Sequence, residues 1–340
     1  MGLRGYLLKR IINTFILLLF VIVLNFAIFE LLPGEQGAIA NLFGNPKIQD
    51  PKIIQNLEIR YGVCKGFDSL GHCIPTSVWD KFVSYFYNML TLQFGNSLKT
   101  NHPVIADMNV RLLNTLTLLG VATALSLIIG IMLGVLSAYK RGSSVDSGLV
   151  TVSLTTYSLP TFFMGLLFIL VFAQNLGWFP SGLVEPSKWI LGRPDIGTFI
   201  LVRLQHLFLP ALTLTLFFYG GHLLLTRATM TEALTEDYIT TARAKGLPER
   251  TVLFKHALKN ASLPIVTNAA LSFGTILSGA IITETVFAWD GLGRWLYQAI
   301  GWKDFPVLQA MFFIIALCVI AANLISDVVY GMLDPRIRYE

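Results

Sequence analysis

EALTEDYITTARAKGLPERTVLFKHALKNASLPIV, from Glu232 to Val266, is a long polar stretch set between two apolar runs. Each flanking run is long enough to cross a bilayer, which takes about 20 residues of helix. Thr229 and Glu232 stand at capping-box spacing, which predicts a helix beginning there. Gly246 follows Lys245, and a glycine just past a basic last turn stops a helix. Pro248 and Glu249 suit the first turn of the next one. The stretch therefore predicts helix, glycine turn, helix, outside the membrane. A solvated connection with ordinary caps is the plain alternative to a docking element.

The rest of the composition agrees with a membrane setting. Of 340 residues, 54% are hydrophobic and 13% charged, whereas a soluble domain carries about a quarter charged residues. The expected class is an all-α integral membrane protein. The net charge of +5 is spread out and not interleaved with aromatics in a patch, so nucleic acid is not an expected partner. Three cysteines show no metal-type spacing. Cys64 and Cys73 share a long hydrophilic loop and form a candidate disulfide if that loop faces an oxidising compartment.

Six spans are expected: residues 11–29, 112–139, 148–173, 206–226, 262–287 and 307–330. The first lacks the short apolar core and small-residue cleavage site of a signal peptide, so it reads as retained. Basic residues set the sidedness. Arg4, Lys9, Arg10, Lys140, Arg141, Arg243, Lys245, Arg250, Lys255 and Lys259 fall on one side, with both termini and the polar stretch. That side is the cytoplasm, and the long loop lies opposite. The domain reading is residues 1–30 as N-terminus and first span, 31–107 as an extracytoplasmic loop, and 108–340 as a five-span core with a connecting loop at 227–262. Within the long loop, Val78 to Leu92 is amphipathic and aromatic and suits an interface or the bundle surface.

Several intramembrane residues are candidates for a translocation pathway or gate. Pro160, followed by Phe162, interrupts the third span, as a packing kink or as a moving element. His222 in the fourth span is either a hydrogen-bonded packing residue or a proton relay. Asn268 and Glu284 lie in the fifth span, and Glu284 is expected near water at its outer end. Asp327 in the sixth span needs a partner or water, and Arg227 is a candidate for the ion pair.

The polar stretch resembles the EAA loop of ABC-importer permeases. Glu232 and Ala233 match its opening, Leu234 replaces the second alanine, and Gly246 and Leu263-Pro264 match its later positions. Asp237-Tyr238, Ala242 to Gly246, Leu32-Pro33-Gly34, Gly291-Leu292-Gly293-Arg294, Lys303 to Pro306 and Asp334 to Arg338 are similar to the B-type subunits of the dipeptide/oligopeptide branch. That resemblance implies a coupling helix that docks on a cytoplasmic ATPase subunit. The docking set would be Glu232, Ala233, Asp237, Tyr238, Ala242, Arg243, Ala244, Lys245, Gly246 and Glu249. It also implies a second permease subunit, two ATPase subunits carrying ATP and Mg, and an extracytoplasmic solute-binding protein.

The chain itself carries no phosphate-binding Gly-x-x-x-x-Gly-Lys loop and no converging catalytic set, so no cofactor, metal or reaction is expected on it. Work would arrive through the polar loop and drive alternating access, with the fourth and fifth spans moving as one lever. Peptides, oligosaccharides and nickel all remain open as solutes. A secondary transporter is the alternative class and would need inverted repeats and mid-membrane ionisable groups.

Overall fold

The computed structural model describes residues 3–31, 55, 59, 64–68, 72–187, 189, 192 and 194–333. Those residues are mostly helical, and they divide into two compact units. One unit comprises residues 111–294 with the two chain ends, and the other comprises residues 11–110 and 295–320. Leu32-Pro33-Gly34 and Asp334 to Arg338, both part of the family resemblance, lie outside the described residues.

In the second unit, helix α1 (Leu3–Phe26), whose residues from 11 onward belong here, ends in a π-helical turn, Ala27–Leu31. A short hairpin follows, β1 (Cys64–Phe67) against β2 (Cys73–Pro75), antiparallel, with the two cysteines disulfide-bonded. Lys65 on the hairpin pairs with Asp80 on helix α2 (Val78–Leu90). Ser77 starts α2 because its hydroxyl accepts from the Asp80 amide at 3.1 Å. The aromatic face of α2 packs on α1, with Phe26 5.2 Å from Phe82 and 5.5 Å from Tyr85. Farther on, buried Asp304 gathers the Ser97 hydroxyl at 2.5 Å and the Leu98 and Lys99 amides at 3.1 and 3.2 Å. A carboxylate with three donors tolerates burial that an unpaired one would not.

In the first unit the long helices are α3 (Val104–Tyr139), whose residues from 111 onward belong here, and α6 (Ile196–Ala233). Between them lies a broken element. Helix α4 (Ser144–Ser158) stops at Leu159-Pro160, and α5 (Thr161–Phe168), continued by a π-helical run to Asn175, leaves at 99°. Proline cannot donate the missing backbone bond and pushes the preceding residue into extended geometry; Leu159 sits at φ −77°, ψ 132°. The expected third span is thus two segments rather than one kinked helix. Helix α7 (Asp237–Ala244) follows α6. A continuous helical course then runs from α8 (Glu249–Thr251) through a π-helical stretch (Val252–Ala257) into α9 (Leu258–Val286). The chain continues through α10 (Leu292–Trp302) and α11 (Phe305–Leu333), of which residues 295–320 belong to the second unit.

Helices α3 and α6 touch backbone to backbone. A Cβ on Gly130 would lie 2.5 Å from the His222 Cβ, and one on Gly134 would lie 2.5 Å from the Thr226 Cβ. Gly130 and Gly134 are four residues apart, which puts them on one face and lets two membrane helices approach closely. On its other side α6 meets α4, where a Cβ on Gly220 would come within 2.8 Å of the Ser153 carbonyl. Two apolar clusters lock the unit. One, around Leu118, Leu207, Leu214 and Trp289, lies toward one end of α3 and α6. The other, around Val135, Met230, Ile239, Val252 and Ala257, lies at the end where α7 sits.

Among the described residues, four helices are long and apolar enough to cross a membrane, or five if the bent α4–α5 pair is one span. Several boundaries differ from the sequence reading. Helix α6 begins at Ile196, ten residues before the expected fourth span at 206, because the Asp195 carboxylate caps the Thr198 amide at 2.9 Å. It also runs past Thr226 to Ala233. Thr229 is therefore no N-cap: its hydroxyl donates back to the Leu225 carbonyl at 3.1 Å, in mid-helix. The local spacing was right for a capping box, but the tertiary packing of Met230 and Ala233 kept the helix going.

Candidate functional site

The helix–turn–helix element between α6 and α9 is built from the inside out. Ile239 on α7 is fully buried and Ala242 nearly so, in the cluster that holds Val135 and Ala138 of α3 and Val252, Leu253 and Ala257 beyond the turn. One face of a two-turn helix is thus spent on anchoring. The opposite face, Asp237, Thr241, Arg243, Ala244 and Lys245, is exposed.

A Schellman turn closes α7. The Gly246 amide donates to the Arg243 carbonyl at 2.9 Å, and the Leu247 amide to the Ala242 carbonyl at 3.4 Å. Gly246 has φ +72°, the left-handed region where a β-carbon is strained. Arg243 spans the turn to Glu249, with Nη2 to Oε1 at 2.7 Å and Nε to Oε2 at 3.4 Å. The Glu249 carboxylate in turn raises the pKa of Arg243. Short α7 and the long helical course that starts at α8 therefore meet at Gly246 through a turn fixed on both sides.

Of the ten residues expected to dock a partner, Glu232, Asp237, Arg243, Ala244, Lys245 and Gly246 are exposed, and Glu249 is half-buried in its ion pair. Tyr238 leans on the apolar cluster. Ala233 and Ala242 are buried in the chain's own core and are not available to a cleft on another protein. Small residues at these places serve close packing here, and nothing in the local spacing distinguished that from docking. Two apolar side chains outside the expected docking set are also exposed here, Leu247 at 36% beside the turn and Phe254 at 39% about one turn into the next helix.

The candidate pathway residues do not form one site. Pro160 and Phe162 are exposed at the α4–α5 break. His222 is buried against the Gly130 seam, with its Nδ1 3.4 Å from the Asn268 amide nitrogen on α9, so these two candidates do meet. Glu284 stands sixteen residues beyond Asn268 on α9, about 24 Å along the helix.

Glu284 was expected near water, and it is fully buried. Its carboxylate accepts from the Thr115 hydroxyl at 2.6 Å and from the Arg294 amide at 3.0 Å. Thr115 also accepts from the Leu292 amide at 2.8 Å. Neighbouring bonds pin the same loop: Asn114 Nδ2 donates to the Asp290 carbonyl at 2.8 Å, and Trp289 Nε1 donates to the Asn114 carbonyl at 3.1 Å. Glu284 thus acts as a remote cap for the first amides of α10, and the polar cost of burial is met by these donors.

The expected partner of Arg227, Asp327, has a side chain outside the described residues; among the described residues Arg227 meets Asp146. Its guanidinium forks onto Asp146, Nε to Oδ1 at 2.7 Å and Nη2 to Oδ2 at 2.8 Å. Among the described residues, no group of three His, Cys, Asp or Glu side chains could hold a metal ion.

Residues 130–339 match the family model for the binding-protein-dependent transport system inner membrane component. The chain is 36% identical to an oligopeptide transport system permease protein of Bacillus subtilis over 98% of its own length and 99% of the relative's. It is also 36% identical to a di/tripeptide transport system permease protein of Pseudomonas aeruginosa over 94% of each, and 34% identical to a dipeptide transport system permease protein of Escherichia coli over 98% and 99%. Among solved structures, a chain of the MetNI methionine ABC transporter superposes with a TM-score of 0.52 at 17% identity, covering 68% of this chain and 99% of that one, a likeness of fold. With a helix–turn–helix element set between two long helices and a family match running through it to the end of the chain, this protein belongs to the inner membrane permeases of binding-protein-dependent ABC importers.

Proposed function

We propose that the chain is the B-type permease subunit of an ABC importer for di- and oligopeptides. The observation that carries this reading is the exposed, turn-locked α7 between α6 and α9, in a chain alike over nearly its whole length to named peptide permeases. In this reading the chain crosses the membrane six times, with both termini and α7 in the cytoplasm. The described helices at each expected position, and the basic residues around α7, support that count and sidedness.

ATP is hydrolysed on two separate cytoplasmic subunits. Each docks on one permease through the exposed face of α7, with Asp237, Arg243, Ala244 and Lys245 beside Leu247 and Phe254. A second permease completes a heterodimer, and an extracytoplasmic binding protein delivers the solute. ATP and solute do work only through their different affinities for the inward- and outward-facing states. His222 with Asn268 lies on the moving helices and is a pathway candidate. Glu284 belongs instead to the fixed end, where it holds the α9–α10 loop.

Purification of the tagged chain from its native membrane tests the reading. Co-purification of ATPase subunits and a second permease, and ATP-dependent peptide uptake by the reconstituted complex, are the expected results. Uptake of oligosaccharide or nickel in place of peptide would change the solute assignment. A chain that purifies alone and transports against an ion gradient would overturn it in favour of a secondary transporter.

A further inference from the structure

The carboxylate of Asp146 is a junction of three elements. The Ser137 hydroxyl, near the end of α3, donates to its Oδ1 at 2.5 Å. The Gly142 amide, in the turn between α3 and α4, donates to its Oδ2 at 2.9 Å. Arg227 on α6 supplies two more donors, and Asp146 is 3% exposed. Four donors on two oxygens leave no slack in the arrangement: a sliding or rotation of α6 against the α3–α4 turn breaks at least two charge-assisted bonds at once.

The junction also sits at a telling place. Arg227 lies ten residues before the start of α7 on the helix that feeds it. Just beyond it, Val135 and Ala138 of α3 pack in the same cluster as Ile239 and Ala242 of α7. The Gly130 and Gly134 seam joins α3 and α6 farther along. A push on α7 therefore meets α3, α4 and α6 as one body at this end.

We infer that Asp146 and Arg227 are positioning residues for transport, locking the α3–α4 turn to α6 so that movement of α7 is delivered to three helices rather than to α6 and α9 alone. Asp146 is too buried to touch a partner, so its action passes through the helices it holds. The inference rests on the permease reading and adds to it which helices form the lever.

The test compares wild type with Asp146→Asn, Arg227→Gln, Arg227→Lys and the Asp146→Asn/Arg227→Gln double variant, each as the full complex in proteoliposomes. Solute moved per ATP hydrolysed is measured against the amount of ATPase subunit retained. The expected result is a loss of about fivefold or more in solute per ATP for Asp146→Asn and Arg227→Gln, with normal ATPase retention. Arg227→Lys, which keeps the charge without the fork, should recover part of the ratio. The double variant should be no worse than either single one, since both break the same unit.

Transport and hydrolysis falling together in proportion to assembled complex would show a merely structural pair and overturn the inference. Should Asp146→Asn fail to assemble, the Arg227→Lys ratio decides alone: a wild-type value overturns the inference and a partial loss upholds it. Failure of the permease reading is seen separately, as wild type that retains no ATPase and shows no ATP-driven uptake.

Discussion

Replacing Gly246 separates backbone strain from every other effect at the α7 turn. A Cβ built there meets nothing within 4 Å, so space is no obstacle and only φ +72° matters. Alanine in the left-handed region costs about 1–2 kcal/mol. A β-branched residue is worse placed, and about 2–3 kcal/mol is a fair figure for Gly246→Val. Asparagine tolerates the region and should cost least.

Against this strain stand two backbone bonds of the Schellman turn, worth about 1 kcal/mol each net, and the half-exposed Arg243–Glu249 pair, worth about 0.2–1 kcal/mol. The two sides are comparable, so valine should open the turn in a large share of molecules. Ile239, Ala242, Val252 and Leu253 remain anchored below, so the bundle should still fold and insert. ATP-driven uptake and ATP hydrolysis in proteoliposomes, normalised to inserted protein, are the assay. Uptake per ATP should fall in the order asparagine, alanine, valine, least to most affected, with insertion unchanged. Wild-type uptake per ATP in Gly246→Val would refute the claim that the fixed turn transmits the stroke.

Three further outcomes are expected. Glu284→Ala strips the Thr115 hydroxyl and the Arg294 amide of their buried acceptor, which should destabilise the protein by about 2–4 kcal/mol; Glu284→Gln, which keeps one carbonyl, should lose less, as read by thermal unfolding in detergent. Opening the Cys64–Cys73 bond with a double serine variant frees a loop with a sequence separation of nine and should cost the hairpin about 2.7 kcal/mol on the chain-entropy account; faster proteolysis between residues 64 and 75, with the helical bundle intact, would report it. The Asp80 carboxyl is held below its usual range by Lys65 and by Ser77. A depressed value means the pair's contribution is present above the unfolded carboxylate pKa of about 3.9 and is lost as pH falls through the lower folded one. Protection of the Asp80 amide at the start of α2, measured by hydrogen exchange, should therefore be flat from pH 7 to 5, and loosening there in that interval would contradict the pairing.

The chain's own sequence determined its membrane class, the approximate places of its long helices and the glycine turn at Gly246. Each of these follows from local chemistry: apolar length, a proline's missing donor, a glycine's freedom at positive φ. A kink at Pro160 was legible for the same reason, though not that the span divides there into two segments 99° apart. What the tertiary structure decided was the role of residues whose spacing fits two readings. Ala233 and Ala242 belong to the expected docking set, but the core around Ile239 claims them. Thr229 has cap spacing, but a helix packed through Met230 and Ala233 runs past it. Arg227 finds Asp146, eighty-one positions away, and Glu284 finds Thr115, 169 away. Partners at such separations are set by which helix faces meet, and that depends on close contacts such as Gly130 and Gly134 against α6, summed over the whole bundle rather than written in any one segment.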